Sequence, residues 1–355
     1  MINELKKYDI VSFDIFDTLI KRMVSSPYRV FDLVEKEYNK FYKSKEIINF
    51  RKNRIECEKN CRKNSAEEEI TLDNIYNELL KFYEEKELRK LKELEKNIEI
   101  NICKFNSEIK EIYEWCLANN KKIIITSDMY LDKKTIVKIL NNNDIKYYKL
   151  YLSSDLLKTK RTGNIFEFIL DDLKIDSKKL IHIGDNKKSD FYSPKKLGIK
   201  SLLWKNNNKY KESDNLAKEI VECFLANRIT SHKNDIFEDI GYNEFGPLLM
   251  CYSKWLLNNL KLNKINKVFF LSRDGYIMKR AFDVINNNPT IESKYFYASR
   301  RSIIVPSLKD CGNINEILSR MYISKHTKIK SILKKIGLDD IIDENFFLSN
   351  YDVNI

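Results

Sequence analysis

The chain has 355 residues, 43% hydrophobic and 12% aromatic, with eight Gly and five Pro, which suits two or three folded domains and excludes a largely disordered protein. Its net charge of +12 is carried mostly by Lys spread over nearly every predicted helix. Nucleic-acid recognition gathers basic residues on one face, so this charge points to a small anionic substrate and not to nucleic acid.

No apolar run is long enough to span a bilayer, and the N-terminal Met1-Ile2-Asn3-Glu4-Leu5-Lys6-Lys7 has no signal-peptide core, so a cytoplasmic protein is expected. The seven Cys show no zinc-type spacing. Cys57 and Cys61 fall one helical turn apart with no His nearby, as small packed side chains in a reducing compartment would.

Ile10-Val11-Ser12-Phe13 is short, β-branched and aromatic, which predicts a buried strand ending at Asp14. Open α/β sheets bind ligands at that end of a strand. Ser26-Pro27 then predicts a helix start, with Val30, Phe31, Val34 and Tyr38 on its apolar face. Further helices are predicted from about Glu46 to Arg62, from Thr71, and through Leu88, Leu91, Leu94, Ile98 and Ile102. In the helix from about Glu46 to Arg62, Arg51, Arg54, Glu58 and Arg62 share one face; the arginines either meet an anionic substrate or form a salt-bridged surface.

A helix over Ser107–Ala118 leads to the apolar strand Lys122–Thr126, which ends in Ser127 and Asp128. Asp132–Leu140 reads as a helix, Tyr148–Ser153 as a strand and Asn164–Leu173 as a helix, with Lys160 just before it. Leu180-Ile181-His182-Ile183 is a strand running into Gly184-Asp185, with Asp190 five residues on; His182 reads as packing. A short helix over Phe191–Leu197 and an edge strand over Ile199–Trp204 complete a parallel, doubly wound α/β sheet. Lys205–Lys211 is the predicted domain boundary. Beyond it come helices at about 214–226 and 244–260, strands at Lys267–Ser272 and Lys294–Ala298, and helices at about 313–322 and 327–337.

In chain order the strand ends and loops supply Asp14, then Thr126-Ser127, then Lys160, then Gly184-Asp185 with Asp190. That order resembles the four motifs of the haloacid dehalogenase (HAD) superfamily, over about residues 8–203. The resemblance implies a HAD-like Rossmannoid core from 1–20 and 107–205, with a helical cap, 21–106, inserted after the first motif. A helical connection, 206–262, and a second, smaller α/β module, 263–355, follow; the module stops without a clear terminal element, as an incomplete domain would.

The same resemblance implies a phosphohydrolase in which Asp14 takes the phosphoryl group as an aspartyl-phosphate. Ser127 and Lys160 would hold the phosphoryl oxygens, and Mg2+ would be held by Asp14, the Phe16 carbonyl, Asp185 and Asp190, with Asp190 also able to orient Lys160. Thr126, Asp128 and Arg54 are the substrate-binding candidates. Family phosphatases carry an acid/base Asp two residues after the nucleophile; here that position is Phe16. Asp17 then either replaces the acid or caps the turn. An aromatic at this position resembles the dehalogenases, which need no metal, whereas Gly184-Asp185 and Asp190 keep the pattern of a metal site. Metal-dependent phosphoryl chemistry therefore ranks above halide displacement, and a degenerate site serving as a binding or scaffold module is the remaining alternative.

Phe13-Asp14-Ile15-Phe16-Asp17-Thr18-Leu19, Ser127-Asp128-Met129-Tyr130-Leu131 and Phe270-Leu271-Ser272-Arg273-Asp274-Gly275-Tyr276 resemble a narrower group. These are two-domain hydrolases associated with bacterial surface-polysaccharide glycosyltransferases, which implies a sugar phosphate substrate and a glycosyltransferase partner or fused domain. Arg273, Asp274, Arg300 and Arg301 are either a second anion site at a helix N-terminus or a turn with surface arginines.

Overall fold

The computed structural model describes residues 1–42, 46–205, 211–227, 235–321, 327 and 329–336. The chain divides into two compact units, Met1–Asn234 and Asp235–Ile355. No helix among the described residues is long and apolar enough to cross a membrane.

The strands of the first unit are β1 (Ile10–Phe13), β2 (Ile20–Arg22), β3 (Cys103–Phe105), β4 (Lys122–Ser127), β5 (Lys149–Leu152), β6 (Leu180–Gly184) and β7 (Lys200–Leu203). Among the described residues five of them form a parallel sheet in the order β5-β4-β1-β6-β7, with β1 central. Both faces are covered, so the strands read as continuous apolar runs and not as alternating ones. Val11, Phe13, Ile123, Ile125, Ile181 and Ile183 pack with Tyr113, Cys116, Ile136 and Ile139 on one face. Ile10, Ile124 and Leu180 pack with Ile165, Phe166 and Ile169 of the helix Asn164–Leu173 on the other. This is the doubly wound α/β architecture expected from the alternation of strands and helices.

Between β2 and β3, which pair antiparallel, lie the helices Arg29–Phe41, Phe50–Asn64, Leu72–Glu78 and Glu85–Ile102. They share one apolar core with the sheet face that carries Val11 and Phe13. Thr71 opens the third of them with a capping box: its hydroxyl accepts from the Asn74 N–H, and the Asn74 side chain accepts from the Thr71 N–H. The first starts at Arg29, later than its Ser-Pro signal, because the Ser26 hydroxyl accepts from Tyr28 N–H and caps the preceding turn.

The second unit builds a smaller core of Leu257, Leu260, Phe270, Phe282 and Ile291. Its strands β8 (Lys267–Leu271) and β9 (Glu292–Phe296) are parallel, with the helices Gly246–Leu262 and Gly275–Ile285 packed beside them. Gly275 is required by that packing: a Cβ there would lie 2.9 Å from the Phe270 carbonyl carbon. Arg273 turns the chain with φ +74° and donates its backbone N–H to the Tyr295 hydroxyl. The side chains of Arg273 and Asp274 are exposed, while those of Arg300 and Arg301 lie outside the described residues.

The expected boundary at 205–211, of which 206–210 lie outside the described residues, differs from the observed division, which falls after the helix Leu216–Ala226. The reason is a buried carboxylate. Glu219 accepts from the Ser25 N–H and hydroxyl at 2.9 and 2.6 Å, from Ser213 N–H at 3.0 Å and from Arg29 Nε at 3.2 Å. Asn227, just past the helix, donates to the Phe105 carbonyl of β3. The helix thus braces both the helical bundle and the strand pair that leads into it. Burial alone would raise the Glu219 carboxyl, but the donors of Ser25, Ser213 and Arg29 outweigh it and hold the group down at about 2. A depressed native pKa stabilises the fold above about 4.5, and that stabilisation is lost as pH falls toward about 2. Thermal melts of Glu219→Gln should show a lower melting temperature near neutrality and a flatter dependence across this acid window than the wild type.

Candidate active site

β1 delivers Asp14 to the carboxyl end of the central strand, where its N–H donates to the Ile183 carbonyl of β6 and its carboxylate is 5% exposed. The chain then folds back sharply. Asp17 takes φ +59°, its N–H donates to the Ile20 carbonyl, and the Ile20 N–H donates to the Ile15 carbonyl. The Phe16 ring lies 4.0 Å under the Arg22 guanidinium, which is itself held by Glu99.

The Lys160 ammonium meets Asp14 Oδ1 at 2.5 Å and Asp190 Oδ1 at 2.6 Å, with both carboxylates buried. Asp190 also accepts from the Asn186 N–H through Oδ2 and from His182 Nε2 through Oδ1. Gly184 permits this approach, since a Cβ there would sit 2.4 Å from Asp190 Cγ. Ligand oxygens of Asp14, Asp185 and Asp190 all lie within 4.8 Å of one another.

Burial, together with the like charges of Asp190 and Asp185, drives the Asp14 carboxyl well above the usual range against the pull of Lys160. Burial and then Asp17 and Asp190 push Asp185 up to about 6. Asp190 goes the other way: Lys160 and His182 overcome its burial and keep it ionised. Lys160 stays protonated because Asp14, Asp190 and Asp128 outweigh its desolvation. One ammonium among these carboxylates leaves excess negative charge, and an all-oxygen donor set of this kind fits a hard divalent cation such as Mg2+.

The sequence placed Asp14, Ser127, Lys160, Asp185 and Asp190 at strand ends or in the loops beside them, and the structure gathers Lys160 and the three carboxylates. Ser127 ends β4, buried. Asp17 is the leading charge that raises Asp185, so it stands beside the cluster. Each of the three substrate-binding candidates has a partner within the protein. Thr126 is fully buried, with its hydroxyl 2.9 Å from the Ser12 hydroxyl. Asp128 accepts the Lys160 backbone N–H at 2.8 Å and so shapes the lysine's loop. Arg54 is fully buried, gripped in a fork by Glu95 at 3.0 and 2.8 Å and sandwiched between the Phe31 and Tyr130 rings. Arg51 and Arg62, on the same helix, are paired with Asp32 and Glu212 and with Glu58 and Glu69.

His182 packs against Phe166, as the sequence suggests, but sequence reasoning missed its bond to Asp190. It is fully buried, its Nδ1 lies 2.8 Å from the Ser12 hydroxyl, and burial holds the ring below its ordinary pKa despite Asp190. The neutral ring then donates through Nε2 to Asp190 and accepts at Nδ1 from Ser12. The signal was available. Ser12, Thr126 and His182 each sit two residues before Asp14, Asp128 and Gly184, and that spacing puts them on one face of the sheet.

The sequence profile of haloacid dehalogenase-like hydrolases matches residues 13–204. A search of curated proteins finds no match. Among solved structures, a 2-haloacid dehalogenase from Pseudomonas syringae pv. tomato DC3000 is similar, with 15% identity, a TM-score of 0.44, and 61% of this chain and 99% of that one covered. A haloacid dehalogenase-like family hydrolase from Xanthomonas campestris gives 11% identity, a TM-score of 0.41 and coverage of 61% and 90%. A predicted phosphoglycolate phosphatase from Haemophilus somnus 129PT gives 12%, 0.39, and 60% and 91%.

Removing one partner of a buried ion pair strands the other, so Arg54→Ala should cost about 3–5 kcal/mol of stability. Urea unfolding measures this. A variant of wild-type stability that lost only substrate affinity would instead return Arg54 to the role of an anion contact.

Proposed function

Because the chain belongs to the haloacid dehalogenase-like hydrolase family, which its residues 13–204 match, we propose that the Asp14 site is a Mg2+-dependent phosphohydrolase for a small phosphorylated metabolite. The observation that carries this reading is the Lys160 ammonium bridging Asp14 and Asp190, with Asp185 within ligand distance of both. Such a cluster is built to meet a dianion whose charge spreads over three oxygens. A sugar phosphate is the substrate class we favour, on the resemblance to polysaccharide-associated hydrolases.

Asp14 Oδ1 is engaged by Lys160, while Oδ2 has a long 3.4 Å contact from the Thr18 hydroxyl, so Oδ2 is assigned as the attacking oxygen. It forms a bond to phosphorus as the bond from phosphorus to the leaving oxygen breaks, and the leaving oxygen takes up a proton. With Phe16 in the usual acid position, that proton is assigned to Asp17, the next residue along the turn, whose charge bears on Asp185. A water oxygen then attacks phosphorus, the phosphorus–Oδ2 bond breaks, and the water's proton passes to a carboxylate, releasing phosphate and Asp14. Lys160 and the Ser127 strand end neutralise and orient phosphoryl oxygens. Mg2+ held by Asp14, Asp185, Asp190 and the Phe16 carbonyl would supply further charge neutralisation at the phosphoryl group.

Halide displacement is the competing reading favoured by Phe16, since a halide leaves without a proton. It gives no reason to keep Asp185 beside Asp14 and Asp190 at an electrostatic cost visible in the raised Asp14 and Asp185.

Phosphate release from a panel of phosphomonoesters should require Mg2+ and disappear with chelator. In the same assay Asp14→Asn should fall by at least about 10³-fold, as removal of a covalent nucleophile does. Halide release from 2-haloacids that survives chelator, with no phosphate release, would overturn this assignment.

A further inference from the structure

We propose that Glu68, on the helical insertion, is a positioning residue for Lys160, making the lysine's placement depend on the cap. The loop that carries Lys160 is a tight turn, in which the Gly163 N–H donates to the Lys160 carbonyl and the Thr162 N–H to the Thr159 hydroxyl, and it needs outside contacts to fix its place. It lies between two left-handed residues, Leu157 at φ +52° and Gly163 at φ +98°. The core holds it through Asp128, which accepts the Lys160 N–H, and through the Ser193 hydroxyl, which donates to the Arg161 carbonyl. The helix that follows, Asn164–Leu173, starts from Gly163 and has no side-chain cap of its own.

Glu68 supplies what is missing from more than ninety residues upstream. One carboxylate oxygen, Oε2, accepts the Thr159 N–H at 2.8 Å, the Thr162 hydroxyl at 2.6 Å and the Thr159 hydroxyl at 3.3 Å. The other, Oε1, accepts from the Asn164 side-chain amide. A carboxylate at this place also meets the positive end of the helix Asn164–Leu173. Thr159 is adjacent to Lys160, so its N–H is the last backbone donor before the lysine. Charge-assisted bonds to it constrain the backbone from which the ammonium reaches Asp14 and Asp190.

The neighbouring residues extend the contact. Glu69 accepts from the Ser153 hydroxyl, which itself accepts the Met129 N–H, and the Leu72 N–H donates to the Tyr130 carbonyl. Residues 68–72 are therefore stitched across the loops that follow β4 and β5 and the loop that carries Lys160. Glu68 need not touch substrate to matter: it acts through the lysine's loop.

The proposal rests on Lys160 serving the reaction given above, and the test separates the two. Backbone hydrogen exchange over 159–163 in Glu68→Ala should be at least about tenfold faster than in wild type. It should be unchanged in Glu67→Ala, which removes the same charge one residue away. Acylation of Lys160 by an amine reagent, slow while Asp14 and Asp190 enclose it, should rise in Glu68→Ala. In the phosphate-release assay kcat should fall about tenfold to a hundredfold with KM changed less than about twofold. Glu68→Gln, which keeps an oxygen for the Thr159 N–H, should recover part of each loss. Unchanged exchange and unchanged Lys160 labelling would overturn the proposal, as would faster exchange with an unaltered kcat. Absence of phosphatase activity in the wild type would overturn the function assigned above, leaving exchange and labelling to decide the role of Glu68.

Discussion

The contact between the Lys160 ammonium and the two carboxylates of Asp14 and Asp190 is the constraint on which the first unit is built. Strand order puts the ends of β4, β1 and β6 side by side, and three of the residues emerging there are acidic. Buried like charges at this spacing repel strongly enough to neutralise one another by taking up protons. A lysine brought in from the loop after β5 keeps Asp190 ionised, although Asp14 and Asp185 remain elevated. That residual imbalance is the kind of negative charge that an all-oxygen donor set offers to a hard divalent cation.

Under the site, one face of the sheet carries polar groups where apolar ones would pack as well. Thr126, Ser12 and His182 are fully buried and linked hydroxyl to hydroxyl to imidazole, ending on Asp190. A buried polar group without a partner costs about 1–3 kcal/mol, so the chain is tolerable only because each member satisfies the next. Phe166 closes it on the helix side, edge-on to His182 at 5.0 Å. Packing in this layer therefore fixes the orientation of Asp190 from below while Lys160 holds it from the side.

Much of this was legible in the sequence. Asp14, Asp185 and Asp190 stand out through their order along the chain with Ser127 and Lys160, since a single acidic residue ending a strand is commonplace. The alternation of strands and helices gives the parallel sheet. What could not be read were partnerships between distant segments. Arg54 lies at helical spacing with Arg51 and Arg62, and nothing local tells a buried guanidinium from an exposed one; its partner Glu95 is 41 residues away. Glu68 sits in a run of three glutamates, which by composition is a solvated stretch, and only the fold shows its partners at 159, 162 and 164. The contacts beyond the expected boundary were hidden for the same reason: a Lys- and Asn-rich stretch resembles a linker, but Glu219 beyond it ties the next helix back to Ser25 and Arg29.

These partnerships bear on recognition. Among the described residues, the arginines of the helical insertion and its hinge are all engaged by carboxylates: Arg22 by Glu99, Arg29 by Asp32 and Glu219, Arg51 by Asp32 and Glu212, Arg54 by Glu58 and Glu95, Arg62 by Glu58 and Glu69, Arg89 by Glu85. A guanidinium already paired with a carboxylate has much of its charge answered, although a bidentate fork uses only two of its five N–H donors. Arg22, Arg29 and Arg54 are turned inward and tie the helices to one another and to the hinge, whereas Arg62 and Arg89 pair with carboxylates at the surface. The positive charge that stands against Asp14 is in the core, at Lys160. What the insertion brings to this end of the sheet is negative: Glu68 and Glu69 bond the segments around Lys160.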